Sequence, residues 1–289
     1  MATTLTRKRH VRSGIGLSLL KYLGLAIGLV WTLFPMYWML AGSLTSNLQI
    51  FSYDFTLFPS HPTFENFKSL FSPGSLPLGT YLKNSLITGV GTALVTTAVS
   101  LLAAYSLSRY KYRFKDTIQL GLLTTQMFPL VVLLVPLYLV YAKAHLLNSN
   151  LGLVIAFCSF AVPVGVFFMK GFIDSIPIAL DESAWIDGCT GLRTLWHVVL
   201  PLAWPGVIAV GIFAFLGAWN DLLFPLVMVS QDSARTLPPG LAVSIQVELR
   251  NDFGGMMAAC VVASIPPIIA LLGVQRYIVG GLASGALKG

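Results

Sequence analysis

The sequence predicts an all-α membrane protein with about six transmembrane helices, and three observations predict it. Of the 289 residues, 56% are hydrophobic and 10% charged, against about 25% charged in ordinary soluble domains. Charged residues are absent from six stretches, 22–53, 84–108, 117–142, 144–169, 194–220 and 253–275, each longer than the roughly 20 residues that cross hydrocarbon. The basic residues are also distributed lopsidedly between the two sides that six spans would create. Backbone groups find no water in a bilayer, so each stretch is read as a helix whose N–H and C=O groups satisfy one another.

Residues 1–14 form a cytoplasmic N-terminal segment carrying Arg7, Lys8, Arg9, His10 and Arg12. A basic start before an apolar run has the pattern of a secretory signal, but a signal's apolar region has only about 7 to 15 residues. The run is therefore read as a retained first span, 15–41, within a transmembrane domain covering 15–280. The segment Ser43 to Leu82, rich in Pro, Ser and Phe, is too polar to span and too long for a turn. It is placed outside. Spans 84–108 and 117–141 are joined by the short basic turn RYKYRFK, and spans 117–141 and 146–170 by an outer loop from Lys143 to Asn150, so these pairs are expected to be antiparallel neighbours. Spans 206–229 and 254–277 follow, with a cytoplasmic loop at 173–204 and a cytoplasmic C-terminal tail at 281–289. Pro129, Pro136, Pro163, Pro225, Pro266 and Pro267 interrupt the later spans, as packing kinks or beside a water-filled cavity.

This topology puts Arg7, Lys8, Arg9, Arg12, Lys21, Arg109, Lys111, Arg113, Lys115, Lys170, Arg193, Arg276 and Lys288 inside, and only Lys68, Lys83, Lys143, Arg235 and Arg250 outside. That is the positive-inside bias, and it puts both termini in the cytoplasm. The net charge of +7 is accounted for by topology and calls for no nucleic-acid partner. Cys158, Cys189 and Cys260 have neither disulfide-framework nor zinc spacing, and the four histidines form no helical ligand pair, so no metal site is expected.

The segment Ile173 to Trp204 differs from its surroundings in holding Asp174, Asp181, Glu182 and Asp187. Ser175 is expected to cap a helix with Pro177 in its first turn, and acids there suit the helix dipole. Gly188 is read as its left-handed stop, and Thr190 as the cap of a second short helix ending before Pro201. On the first helix Glu182 has Ile178, Ala179, Trp185 and Ile186 as its neighbours three and four residues away, so a carboxylate sits in an apolar face. On the second, Leu192, Leu195, Trp196 and Val199 make another apolar stripe. Two uses fit such faces: an interface with another protein that brings a cation, or a rest against lipid headgroups.

Glu182, Ser183 and Ala184, then three residues to Gly188, then nine to Val198, Leu200 and Pro201, resemble the EAA loop of permease subunits in binding-protein-dependent ATP-binding-cassette importers. Ser183 and Val198 are mild departures. Asn84-Ser85, Trp219-Asn220-Asp221 and the ending from Gln275 to Gly289 are similar to the carbohydrate branch, in particular the second permease type of maltose importers. The resemblance implies a type I importer transmembrane domain whose loop docks on an ATPase through Glu182, Ser183, Ala184, Asp187, Gly188, Leu200 and Pro201, with Glu182 as the ion-pairing residue. It implies that the small-residue tail, with Ser284, Gly285 and Lys288, reaches the ATPase interface. The implied partners are a second, non-identical permease, two ATPase subunits that hold ATP and Mg, an extracytoplasmic solute-binding protein, a carbohydrate solute and membrane lipid. No G-x-x-x-x-G-K-[ST] phosphate loop occurs in the sequence, so the energy source is expected in a partner and the chain itself is not expected to be an enzyme.

Asp221 is the one acid inside a predicted span. With a fifth helix starting near Gly206, about 15 residues at about 1.5 Å rise place it roughly 22 Å up. It is therefore a candidate to line the solute path with Trp219 and Asn220, or else it lies among headgroups or bonds a neighbouring helix. Asn220, with donor and acceptor capacity, is the better candidate for touching a hydroxylated solute. No Lys or Arg lies deep in a span, which favours a neutral sugar or polyol; a glycerol-phosphate type of substrate stays open, since a partner can supply charge. An ion-coupled secondary transporter would call for acids near the midplane and often an inverted repeat, neither of which is visible. A structural scaffold leaves the loop and the tail unexplained.

Overall fold

The computed structural model describes residues 15–51, 57–72, 75–247 and 252–286. Among these, every regular element is helical. α1 (Ile15–Ser43) is followed by two short helices, α2 (Asn47–Ile50) and α3 (Glu65–Leu70), and then by α4 (Leu78–Arg109), α5 (Lys115–Thr125), α6 (Leu130–Lys143) and α7 (Asn150–Asp174). Next come α8 (Ala179–Ile186), α9 (Gly191–Thr194), a π-helical turn (Leu195–Val199), α10 (Leu200–Asn220), α11 (Leu223–Met228), a 3-10 turn (Asp232–Ala234), α12 (Leu237–Val247) and α13 (Phe253–Ala286). Among the described residues five helices are long and apolar enough to cross a membrane, and α5 with α6 makes a sixth only as a pair bent by 97°.

The bundle is organised on α4, which packs against both α7 and α10. Its sequence explains the close approach: Ser85, Thr88, Gly89, Thr92, Thr96, Ser100 and Ala104 recur every three or four residues along one face, and all are buried. Small residues at that spacing let helix backbones come together where lipid offers no hydrophobic drive. At Gly165 of α7 a Cβ would lie 2.5 Å from Ser100 Oγ, so glycine lets the helices cross this closely without displacing the Ser100 side chain. α13 packs on α10 and carries α1 at the periphery, where α1 leaves its apolar surface exposed from Leu19 to Leu40.

Four structural differences separate the fold from the sequence reading, and the first three have local causes. The expected third span, 117–141, is not one helix: α5 stops at Thr125 and Pro129 opens α6 in an extended conformation (ψ 124°); Pro129 has no N–H to continue the α5 ladder and disfavours the α region for the preceding Phe128. The second loop helix does not end before Pro201. Thr190, α9 and the π turn run directly into α10, with Pro201 in its first turn; the i→i−5 register just before Pro201 opens the turn whose carbonyls the ring would otherwise meet. Ser175 does not cap the first loop helix. It closes α7, its hydroxyl donating to Phe172 O at 2.7 Å, while α8 begins at Ala179 without a side-chain cap. α13 also continues past the expected span end at residue 277, to Ala286.

At the end of the bundle opposite the basic turn, Asn84 Nδ2 donates to Ser233 O (2.9 Å) and Arg235 O (3.0 Å), and Ser85 Oγ accepts from Leu237 N (2.8 Å). Asn150 donates to Asn84 Oδ1 at 3.0 Å. The Asn84-Ser85 pair therefore ties the connection between α11 and α12 to α4.

Candidate functional site

The loop between α7 and α10 is built by two capped turns. α8 ends in a Schellman arrangement: Gly188 has φ +81°, its N–H donates to Trp185 O at 3.0 Å, and Cys189 N–H donates to Ala184 O at 2.9 Å. Thr190 then opens α9, its Oγ1 accepting the Arg193 N–H at 3.5 Å and its carbonyl accepting the Thr194 N–H at 2.8 Å.

One side of this loop is anchored to the bundle. Asp181 is fully buried and Arg109, the last residue of α4, is 4% exposed at its side chain; Arg109 Nε and Asp181 Oδ2 are 3.1 Å apart. Arg109 also donates to Ile176 O at 2.9 Å. Tyr105 OH donates to Asp181 Oδ1 at 3.4 Å, and Ser108 Oγ to Asp174 Oδ1 at 2.6 Å. Lys170 completes the group with an ion pair to Asp174 at 2.6 Å. The final turn of α4 therefore holds the loop at 174, 176 and 181. Leu195 and Val199 are buried with Leu101, Tyr105, Met169 and Ile173 beneath it.

The other side is open. Glu182, Ser183, Asp187, Gly188 and Pro201 are exposed, Leu200 is half-buried, and Ala184 is buried against the bundle. Around Glu182 lie exposed Ile178, Trp185 and Ile186, the last 87% exposed, and across the glycine turn Leu192 and Trp196 are 64% and 56% exposed. The expected stripe of four on the second helix is thus divided, with Leu195 and Val199 in the core and Leu192 and Trp196 outside. The surface can present the Glu182 carboxylate in an apolar field to a partner, with the Asp187 carboxylate exposed beside the glycine turn.

At the far end of α10 the three path candidates separate. Trp219 is 2% exposed, stacked on Phe215 (centroids 5.5 Å apart), with Nε1 donating to Ala263 O at 3.3 Å. It is a packing residue, which corrects its expected place on the path. Asp221 sits at the break after α10, where Oδ1 accepts the Phe224 N–H at 2.9 Å and so starts α11. Asn220 is exposed. In the tail, Ser284 and Gly285 lie on the helical backbone of α13, and Lys288 lies outside the described residues.

The sequence reading counted Arg109 only as a topological charge and Asp181 only as a helix-start acid. Their contact joins positions 72 residues apart, beyond the reach of local periodicity. The legible signal was spacing alone: Asp181 and Ala184 share a face that Glu182 does not.

The chain is a polytopic helical bundle with a doubly capped loop at one end. The family of binding-protein-dependent transport system inner membrane components matches residues 96–283, and the chain belongs to it. It is similar to the sulfoquinovosyl glycerol transport system permease SmoH of Agrobacterium fabrum, 36% identical over 93% of this chain and 94% of SmoH. It is similar also to the trehalose/maltose transport system permease MalG of Thermococcus litoralis, 33% identical over 89% of this chain and 92% of MalG. In fold it matches a chain of a bacterial ABC transporter involved in the import of the acidic polysaccharide alginate, with a TM-score of 0.76 at 22% identity over 95% of this chain and 99% of that one. The protein is a multi-pass permease subunit of the cytoplasmic membrane. In such importers ATP hydrolysis belongs to a separate subunit.

Proposed function

We propose that this chain forms half of the path by which an ATP-driven importer takes up a saccharide delivered by an extracytoplasmic binding protein. The observation that carries the reading is the exposed apolar field around Glu182, held rigidly by the Arg109–Asp181 anchor. A lipid-resting helix needs no such clamp, whereas a surface that transmits force does. The complete unit pairs this chain with a second, non-identical permease and with two ATPase subunits that hold ATP and Mg. The solute class follows the relatives, whose names specify sulfoquinovosyl glycerol and trehalose/maltose. The direct test is to purify the tagged chain from its native membrane, identify the co-purifying ATPase and second permease, and measure uptake of trehalose, maltose and sulfoquinovosyl glycerol by the reconstituted complex. Absence of an ATPase from the complex contradicts the reading.

In the proposed topology the turn from Arg109 to Lys115 and the loop 173–204 face the cytoplasm. With Cys158, Cys189 and Cys260 replaced by serine, a Lys111→Cys protein in intact cells is expected to resist a membrane-impermeant maleimide and to react after permeabilisation. Reaction in intact cells reverses the topology.

Asn220 stays in the proposal as a path residue because it is the exposed polar side chain at the end of α10. Asn220→Leu is expected to lower uptake or change saccharide preference in a complex that still assembles. Unchanged uptake and preference remove it from the path.

A further inference from the structure

We propose that the turn between α4 and α5 binds the phosphate of anionic phospholipids through Lys111, Arg113 and Lys115, and that Tyr110 passes this contact to the loop between α7 and α10; the inference rests on the proposed topology, which puts the turn at the cytoplasmic leaflet. The basic residues at this end of the bundle divide by what they meet. Arg109 and Lys170 are ion-paired with Asp181 and Asp174 and so belong to the fold. Lys111, Arg113 and Lys115 are in no salt bridge among the described residues; the first two are exposed and Lys115 is half-buried. Against these three cations the turn and the first turn of α5 hold one carboxylate, Asp116, so a positive surplus faces outward.

The turn is confined to headgroup depth. Only residues 110–114 separate the end of α4 from the start of α5, and a chain that goes out and back over so few residues rises less than about 10 Å, close to the depth of one headgroup layer. Its other side chains suit that depth. Tyr110, Tyr112 and Phe114 are exposed, and aromatic rings collect at the boundary between membrane and water. The Arg113 guanidinium lies over the Phe114 ring, 5.7 Å from its centroid, a contact that steadies it without using its N–H donors. A solvated run of charge has no use for three exposed rings, whereas a phosphate layer above an apolar slab engages both the rings and the cations. Charge complementarity names the occupant, since anionic phospholipid is what the cytoplasmic leaflet offers at this level.

Tyr110 joins the turn to the loop. Its ring meets Tyr105 edge-on with centroids 5.9 Å apart, Tyr105 donates to Asp181, and a Cβ on Gly191 would run into the Tyr110 hydroxyl. A headgroup that holds Lys111 therefore holds the neighbour of a residue wedged between the Asp181 anchor and the start of α9.

Binding is tested on the assembled complex in nanodiscs, where both leaflets carry the same lipid and the outcome does not depend on topology. In a background with the native cysteines replaced, Ile118→Cys, at an exposed position of α5, carries a bimane label. Its quenching by phosphatidylglycerol spin-labelled near the headgroup is compared with quenching by phosphatidylcholine labelled in the same place, after subtraction of the complex without Ile118→Cys. A local preference for phosphatidylglycerol of about fivefold or more is expected, the effect of one basic residue near an anionic surface, and it is expected to vanish when Lys111→Gln, Arg113→Gln and Lys115→Gln are combined. Equal quenching by the two lipids, or a preference that survives the three glutamines, overturns the site and gives the turn to solvent or to an acidic protein partner. For the relay, uptake per ATP is expected to be higher in liposomes containing phosphatidylglycerol than in phosphatidylcholine alone, and Tyr110→Leu is expected to keep the quenching preference while losing this difference. A parent without the difference, or a Tyr110→Leu complex that retains it, overturns the relay. A parent complex that takes up no saccharide overturns the importer reading instead, and the quenching still decides the lipid site.

Discussion

Asp181→Ala is expected to destabilise the protein by about 3–5 kcal/mol, because it leaves the Arg109 guanidinium buried without its counter-charge. The cost lies in the orphaned cation. The Ile176 carbonyl still accepts from Arg109, but a carbonyl dipole does not replace a carboxylate at 4% exposure. Removing both charges while keeping volume, as in Arg109→Met with Asp181→Leu, is expected to restore most of the loss, since a buried pair and an apolar pair of similar size are often close in energy. Transport separates stability from transmission. The refilled double variant is expected to assemble with its ATPase and hydrolyse ATP with less uptake per ATP than the parent, because the bidirectional tie between α4 and the start of α8 is gone. The checks are thermal unfolding of the detergent-solubilised chain and the uptake-to-hydrolysis ratio in liposomes. A loss below about 1 kcal/mol in Asp181→Ala would place the pair in solvent, contrary to its burial.

The second large effect is at the open face. Glu182→Ala removes an exposed carboxylate, so the chain is expected to insert and fold at its normal level while its ATPase dissociates about tenfold or more readily, through loss of a charge-assisted bond at a desolvated interface. Gly188 gives a companion test with a different cause. A Cβ there meets nothing within 4 Å, but φ is +81°, so strain comes from the backbone alone. Gly188→Val, β-branched, is expected to cost about 1–3 kcal/mol in the loop and to lose ATPase association, whereas Gly188→Asn, which visits the left-handed region more readily, is expected to retain most of it. Equal losses for valine and asparagine would point to contact with the partner instead of strain.

Much of this architecture is legible in the sequence because a bilayer makes long uncharged runs unambiguous, and because caps such as Thr190 and Gly188 act within a few residues of themselves. The misread features depend on partners distant in the chain or on proline geometry. Pro129 was visible, but its 97° consequence needs α7 to hold Gln126 beside Phe160. Pro201 signalled a helix end, and a π turn carried the helix past it. Trp219-Asn220-Asp221 reads as one polar cluster along the chain, yet at about 100° per residue the three side chains diverge into the core, the surface and a helix cap. The Arg109–Asp181 pair left only the face that Asp181 shares with Ala184 as a local trace.

The account's central claim is that an exposed carboxylate on a rigidly anchored loop links solute delivery to ATP hydrolysis in a partner. It is tested most directly by the rate of ATP hydrolysis in the complex reconstituted in nanodiscs with its binding protein, with and without saccharide, for the parent and for Glu182→Ala. The expected result is saccharide-stimulated hydrolysis in the parent and loss of that stimulation in the variant at equal permease content. Full saccharide-stimulated hydrolysis by a Glu182→Ala complex that keeps its ATPase subunits would contradict it and leave the loop a connector resting on lipid.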